Sequence, residues 1–336
     1  MFDRLRAFHR PTTVAQALRA FDAERRRGGR GHWVAGGTDL VVQRDRTLRY
    51  LVDLSRLPLA YVRRARAGWA IGATTRMADL EHSKALLAFA NGIIPEAAAT
   101  CGSQQIRNMA TLGGNLANAS PACDLAPPLL ALDASVVIAG SGARRGRGGQ
   151  AGRAGREGRG GRRTVPLDRF FHGVNRTALN GGLLLEIVVP APPRAARAAW
   201  SCQKLGRLES DIAVVNAAAG IALDARGTCT WARIALGAVA PTPIRAKRAE
   251  ALLVGRVLDR KTIDAAADRA AAEAKPVTDV RGTAEYRRAM CRVLVTRALE
   301  ECARRAGGEL TSPGDVRRAA RTITPGNEGH RAGRSQ

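Results

Sequence analysis

Two turns with paired glycines constrain the fold of this chain more than any other feature. Gly36-Gly37 lies within residues 34–40, and Gly113-Gly114 lies within residues 106–116. Glycine has no Cβ, so backbone N–H groups can converge on an anion at such turns. Neither segment has the Gly-Lys-Ser/Thr of a Walker loop or the G-x-G-x-x-G dinucleotide pattern. The residues alone leave two interpretations open: ordinary turns, or the two halves of a phosphate cradle.

The order of helix and strand patterns predicts an α+β protein. Residues 13–16 (Thr-Val-Ala-Gln) form a capping box that predicts a helix to about Arg27. Residues 79–100 are predicted to be mainly helical with a break near Asn91, and residues 107–124, rich in Gly, Asn, Ser and Pro, to be mostly loop. The predicted strands are residues 51–54, two halves of 61–74, 135–139, 183–189, 211–223 and 229–239, and the later helices are residues 125–132, 246–253, 262–274 and 284–305. The last helix is predicted to carry Tyr286, Met290, Val293 and Leu294 on one face.

The charge of the chain first suggests a nucleic-acid partner, because the formal net charge is +25. Part of this charge is local, since residues 141–163 carry eight Arg, nine Gly and one Glu. This stretch is predicted to be a flexible hairpin insert, either a tolerated expansion or a contact for an acidic partner or nucleic acid. It contains no aromatic residue for base stacking, which disfavours the nucleic-acid alternative.

Cysteine spacing and hydropathy argue against several other classes of protein. The six cysteines include no C-x-x-C pair, so we expect small buried thiols and no metal site in this chain. No stretch approaches the roughly 20 apolar residues that span a bilayer. The N-terminus lacks the apolar region of a secretory signal, so we expect a cytoplasmic protein.

Longer motifs resemble a known family. Residues 35–40 (Ala-Gly-Gly-Thr-Asp-Leu) resemble the first flavin loop of the FAD-binding (medium) subunits of molybdenum hydroxylases, the xanthine dehydrogenase and carbon monoxide dehydrogenase type. Residues 106–132, with Thr-Leu-Gly-Gly-Asn at 111–115, resemble the second flavin loop and its sequel. Further matching pieces occur in the family's order at residues 72–74, 170–173, 184–190, 204–211 and 279–287. The resemblance covers roughly residues 1–305.

The resemblance implies a fold and a domain division. Residues 1–192 would form a vanillyl-alcohol-oxidase-like (PCMH-type) FAD-binding domain of two subdomains, containing the insert. Residues 193–305 would form a smaller α+β C-terminal domain with an antiparallel sheet and helices. Residues 306–336 are polar and Gly-rich and are predicted to be a disordered tail.

The resemblance also implies site residues. One side of the FAD diphosphate would contact Val34, Ala35, Gly36, Gly37, Thr38, Asp39 and Leu40, and the other side Thr111, Leu112, Gly113, Gly114 and Asn115. Asp124 would bind the ribityl or ribose region, Leu184 the adenine end or the ring, and Lys204 would approach from the second domain. Cys101 falls where relatives place a residue near the cofactor. The alternatives are purely structural roles: Asp124 as a helix N-cap, Lys204 as a solvent-exposed strand residue, and Cys101 as a residue of the hydrophobic core.

The function implied is electron transfer. FAD would accept electrons from [2Fe–2S] clusters and pass them to NAD⁺, a quinone or another acceptor, with no catalytic acid or base in this chain. The partners implied are a molybdopterin-binding large subunit and a [2Fe–2S] small subunit, in a dimer of heterotrimers. The cysteine-rich insert of the branch that reduces hydroxybenzoyl-coenzyme A is missing after Leu116, so its [4Fe–4S] cluster is not expected. Two other functions stay open: a stand-alone FAD-dependent oxidoreductase and an Arg/Gly-rich nucleic-acid-binding protein.

Overall fold

The computed structural model describes residues 4–66, 68–140, 161–195 and 197–307. Most of the predicted Gly/Arg insert and the predicted tail from residue 308 onward lie outside these ranges. The residues at the borders of these two segments that the structure does describe lie in regular secondary structure, where the sequence predicted an insert loop and a disordered tail. Arg162 and Arg163 already belong to a strand, and Ala306 still belongs to the last helix.

The described residues contain three main sheets and a series of mostly short helices. The strands are β1 (Ala7–His9), β2 (Arg30–Val34), β3 (Leu48–Asp53), β4 (Val62–Ala65), β5 (Gly68–Gly72), β6 (Ser135–Ala139), β7 (Arg162–Pro166), β8 (Phe171–Gly173), β9 (Arg176–Thr177), β10 (Leu183–Pro190), β11 (Arg197–Leu205), β12 (Val215–Leu223), β13 (Cys229–Gly237) and β14 (Ile244–Arg245). The helices are α1 (Val14–Arg26), α2 (Thr38–Gln43), α3 (Met77–Glu81), α4 (Lys84–Leu87), α5 (Ile93–Ala99), α6 (Gln104–Met109), α7 (Leu112–Ala117), α8 (Ala126–Ala131), α9 (Lys247–Leu253), α10 (Arg260–Glu273) and α11 (Ala284–Ala306). None of these helices is long and apolar enough to cross a bilayer.

The first sheet is small and parallel, in the order β1-β3-β2. The capping box that starts α1 is confirmed: Thr13 Oγ1 accepts a hydrogen bond from Gln16 N, and Gln16 Oε1 accepts one from Thr13 N. Phe21 of α1 packs on Tyr50 of β3 and Trp33 of β2. The turn at residues 34–40 follows β2 at the carboxyl end of this sheet, which is the edge where α/β sheets commonly bind ligands.

The second sheet is antiparallel, in the order β4-β5-β10-β6-β7, and carries the largest core. Helices α3, α4, α5, α7 and α8 bury apolar side chains against it, for example Met77, Leu116 and Leu129, whereas α6 has no buried residue. The two sheets meet where Leu183 and Leu185 of β10 pack with the core of the first sheet. These two units are the two subdomains of the predicted PCMH-type fold.

The third sheet is antiparallel, in the order β11-β12-β13-β14. Residues of β12 alternate between two cores: Ala217 and Ala219 face α10 and α11, whereas Ala218 joins the core of the second sheet. Small side chains let both faces of this strand be covered closely. The α+β class, with an antiparallel sheet and helices at the C-terminal end, is confirmed.

Several local predictions were wrong. Residues 107–124 are not mostly loop, because α6 and α7 lie there with Ser103 and Thr111 as N-caps. Strand β11 was not predicted, and β12 begins at Val215 rather than at residue 211. In α11, the predicted face is only partly right: Leu294 is buried and Met290 packs against the core, but Tyr286 is exposed. Tertiary packing, which local pattern does not record, decided each of these elements.

Candidate functional site

The two glycine turns touch each other. A Cβ on Gly36 would lie 1.9 Å from the carbonyl oxygen of Met109, so only glycine allows this approach. Gly37 has φ +71°, a left-handed conformation that favours glycine, and it starts α2 without a side-chain cap. Among the described residues, the N–H groups of Thr38, Asp39 and Leu40 have no protein acceptor. Three adjacent free donors at a helix start suit an anionic ligand.

The second turn is built differently from the first. Its N–H groups are already used: Leu112 donates to Thr75 O at 2.9 Å, Gly113 to Ala73 O at 2.8 Å, and Gly114 to Thr111 Oγ1 at 3.1 Å. Gly113 packs tightly, since a Cβ there would lie 2.6 Å from Ala73 O. This turn is therefore a rigid wall, and free backbone N–H donors lie on the first turn.

A cavity of about 580 Å³ opens between the two turns. Volumes of this order are typical of sites for cofactors and small ligands. It is lined by Val34, Ala35, Gly36, Gly37, Thr38, Asp39, Leu40, Cys101, Thr111, Gly113, Gly114, Asn115, Asp124 and Leu184, which are all the predicted site residues except Leu112 and Lys204. Leu112 is fully buried in the core. Lys204 lies behind Asp124 and lines a second cavity of about 590 Å³, between the second and third sheets.

Asp124, between α7 and α8, forms a buried ion pair with Lys204 of β11. Lys204 Nζ lies 3.0 Å from Asp124 Oδ1 and donates to Thr100 O at 2.7 Å. Burial raises the pKa of Asp124 above its ordinary value, and Lys204 acts in the opposite direction. Asp124 is not the N-cap of α8, whose N-cap is Leu125, and Lys204 is not a solvated strand residue.

Two cysteines sit next to this pair. Burial, and then the charge of Asp124, raises the pKa of Cys101 to about 12, so its thiol is protonated at neutral pH. Cys123 donates from Sγ to Asn115 Oδ1 at 2.8 Å. Asn115 therefore holds the segment that carries Asp124, in addition to lining the cavity. All six cysteines are unpaired thiols, five of them buried.

Two groups of cavity residues were not predicted from the sequence. Trp33 and Phe21 stack at 4.1 Å between ring centroids and line one end of the cavity. Ser210, Asp211 and Ile212 line it from the connection between β11 and β12. The position of Trp33 beside residues 34–40 was a usable signal, but α1 and residues 210–212 reach the cavity through the tertiary fold alone.

These features fit a long, flat ligand that carries negative charge near its middle. The free N–H donors of α2 suit a diphosphate, the glycine at 114 allows close approach of backbone to ligand, and the Trp33–Phe21 stack offers an aromatic surface. Partial desolvation raises the pKa of Asp39, although its side chain is largely exposed. In the described part of the chain, no group of three or more His, Cys, Asp or Glu could hold a metal ion.

Known proteins match both halves of the chain. A family model described as "FAD binding domain in molybdopterin dehydrogenase" matches residues 2–147, and one described as "CO dehydrogenase flavoprotein C-terminal domain" matches residues 200–302. The 6-hydroxypseudooxynicotine dehydrogenase complex subunit alpha of Paenarthrobacter nicotinovorans is 36% identical over 81% of this chain and 87% of that subunit. The carbon monoxide dehydrogenase medium chain of Hydrogenophaga pseudoflava is 32% identical over 87% of this chain and 95% of that one.

A solved structure with a sequence identity close to that of these two relatives has the same fold. It is carbon monoxide dehydrogenase from Hydrogenophaga pseudoflava lacking the Mo-pyranopterin moiety of the molybdenum cofactor, with a TM-score of 0.79 and 33% identity. The alignment covers 91% of this chain and 99% of that chain. This protein therefore belongs to the family of FAD-binding subunits of molybdenum hydroxylases, the carbon monoxide dehydrogenase and xanthine dehydrogenase type.

Proposed function

We propose that FAD binds in the cavity between the two glycine turns. The observation that carries this proposal is the juxtaposition of three free N–H donors on α2 with the glycine wall of α7. The residues proposed to hold FAD, by contact or by support, are Val34, Ala35, Gly36, Gly37, Thr38, Asp39, Leu40, Cys101, Thr111, Leu112, Gly113, Gly114, Asn115, Asp124, Leu184 and Lys204. Leu112 and Lys204 would act indirectly, Leu112 by fixing α7 and Lys204 by neutralising Asp124.

The residues of this chain bind and orient the cofactor. The first turn neutralises part of the diphosphate charge through N–H donors, which cost no reorganisation because α2 holds them in place. Buried apolar walls and the protonated thiol of Cys101 exclude water. FAD supplies the exchange between one-electron and two-electron carriers, and no acid or base of this chain is assigned to the reaction.

We propose that the chain works inside a complex, passing electrons from [2Fe–2S] clusters of a small subunit to an acceptor such as NAD⁺ or a quinone. A large subunit would hold molybdopterin, and two heterotrimers would pair. The support is that relatives are called a medium chain and a complex subunit, and that a solved structure of a Cu,Mo-CO dehydrogenase shares the fold at 32% identity.

Purification of the tagged chain from its native cells tests this role. The eluate is analysed for FAD by absorption and for molybdenum and iron by mass spectrometry. We expect both metals to co-elute with FAD in constant proportion. FAD without molybdenum or iron would favour a stand-alone FAD-dependent oxidoreductase and contradict the complex.

A further inference from the structure

The connection between β11 and β12 forms a wall of the flavin cavity but is weakly held. Ser210, Asp211 and Ile212 of this connection, residues 206–214, line the cavity. Among the described residues, no hydrogen bond or ion pair joins residues 206–213 to another element. Its internal bonds are few: Arg207 pairs with Asp211 at 3.4 Å, and Asp211 N donates to Leu208 O at 3.2 Å. Its position must therefore be set at its ends.

One end is fixed by a buried arginine. Arg287, in the first turn of α11, is 2% exposed. Its Nη1 donates to Val214 O at 2.6 Å, and its Nη2 donates to Asp279 Oδ1 at 2.6 Å. A buried cation at a helix N-terminus is unfavourable toward the helix dipole, so these contacts must offset that cost.

The same arginine is also linked, through Ala238, to a second segment that lines the cavity. Arg287 Nη1 lies 3.2 Å from Ala238 O, and Ala238 N donates to Pro121 O at 2.7 Å. Pro121 belongs to the segment that carries Ser120, Ala122 and Asp124 into the cavity. Ala238 itself has φ +61°, a strained value for a residue with a side chain. Arg287 thus connects two protein segments that line the cavity.

We propose that Arg287 is a positioning residue that sets the wall formed by residues 206–214, and thereby the access to bound FAD and its retention. This proposal rests on the proposed FAD site. Arginine is required because its planar fork serves two carbonyls and a carboxylate in fixed directions. A lysine has only one nitrogen, on a flexible four-carbon stem, and cannot serve all three acceptors in these directions. The arginine acts through Val214 and Ala238 and is not placed in contact with FAD.

The test uses the full-length chain loaded with FAD. Two quantities are measured for each protein: the rate of FAD dissociation, and the quenching of flavin fluorescence by iodide, which reports access of a small solute. The variants are R287K and the milder D279N, which keeps the arginine and removes only the charge of its partner. The matched control is R292K, because Arg292 lies on the same helix and forms ion pairs at a partly exposed position.

We expect R287K to raise both the dissociation rate and the quenching constant about ten-fold, the scale of one lost charge-assisted hydrogen bond. D279N should raise both by a smaller factor, and R292K should match the wild type. A lower melting temperature with unchanged dissociation and quenching in R287K and D279N would overturn the proposal, since a purely structural role predicts that result. A wild-type chain that binds no FAD would instead overturn the proposed function, and the role of Arg287 with it.

Discussion

At the scale of single residues, the geometry of the site depends on the absence of a Cβ atom in glycine. Gly36 has no room for a Cβ because Met109 O occupies that position, whereas a Cβ on Gly114 would meet only Thr111 Oγ1 at 3.0 Å. The two glycines therefore serve different purposes. Gly36 lets the first turn contact the second turn at Met109, and Gly114 leaves space at the cavity that we propose for the ligand.

Alanine substitutions should separate these purposes. G36A should lower the free energy of unfolding by about 1–3 kcal/mol, the usual cost of overpacking, and weaken FAD binding because the turns are forced apart. G114A should change stability little, since the helix propensity of alanine gains about 0.5–1 kcal/mol against a small clash, yet weaken FAD binding. Urea unfolding and FAD titration measure both effects. Equal losses of stability in the two variants would contradict this division of roles.

The Asp124–Lys204 pair gives a prediction that depends on pH. K204M leaves Asp124 buried without its cation, and such a change typically costs about 3–5 kcal/mol. Burial then raises the folded-state pKa of Asp124 further above its unfolded value, so folding favours the protonated form.

The stability lost in K204M should therefore be largest at neutral pH and should shrink as the pH falls through the raised pKa of Asp124. Urea unfolding of wild type and K204M between pH 7 and pH 4 checks this. The double variant D124N/K204M should lose less and show no such trend. If the loss in the free energy of unfolding of K204M does not change with pH, Asp124 is not left as a buried, unpaired carboxylate.

The sequence located part of this site because local chemistry determines it. Paired glycines and their neighbours predicted both turns, and the motif resemblance predicted Cys101, Asp124 and Leu184 as cavity residues. Phe21 and residues 210–212 were missed because no local pattern shows that α1 and the β11–β12 connection reach the cavity, whereas Trp33 was missed although it directly precedes residues 34–40. The hypothesis that backbone N–H groups of both turns converge on a phosphate fits only the first turn, since the N–H groups of Leu112 and Gly113 bond to Thr75 and Ala73.

At the scale of elements, α11 fastens the third sheet to the rest of the chain. Its last turn carries Arg305, 6% exposed, which donates to Trp200 O at 2.6 Å and lies 3.4 Å from Glu96 Oε2 on α5. Helix α5 ends next to Thr100 and Cys101 at the cavity. The arginine therefore links the C-terminal end of α11 to α5, the helix that ends beside the cavity.

Removal of this link should be costly. R305M leaves Glu96, 4% exposed, without its cation, and we expect a loss of about 3–5 kcal/mol in the free energy of unfolding. The control R297M changes an exposed position on the same helix and should stay within about 0.5 kcal/mol of wild type. Urea unfolding compares them. Similar effects of the two variants would refute a buried link at Arg305.

Elements were predictable where their signals are local. The capping box at Thr13 fixed the start of α1, and the break in the helical stretch at Asn91 appears as a left-handed residue with φ +55°. Helix α7 was missed because Gly113 and Gly114 lower helix propensity. Packing of Gly113 against Ala73 and the cap at Thr111 offset that weakness; the packing needs the folded molecule, whereas the cap is a local signal that the prediction did not use.

At the scale of the whole molecule, the second sheet packs with both of the others: one core joins it to the first sheet, and another joins it to the third. Trp200, Ala218 and Ala235 of the third sheet belong to the same core as the helices around the second glycine turn. The third sheet and its helices are thus packed against the earlier part of the chain, and Lys204 and Arg287 contact segments that line the cavity. A ligand in the cavity should stabilise the whole chain, because binding to the folded state shifts the unfolding equilibrium.

The most direct test of the central claim is a calorimetric titration of the cofactor-free, full-length chain with FAD and, separately, with riboflavin. We expect one FAD per chain, and much weaker binding of riboflavin because riboflavin lacks the diphosphate that is proposed to bind at Thr38, Asp39 and Leu40. G114A should lower the FAD affinity in the same experiment. Failure of the wild-type chain to bind FAD, or equal affinity for FAD and riboflavin, would contradict the assignment of the cavity.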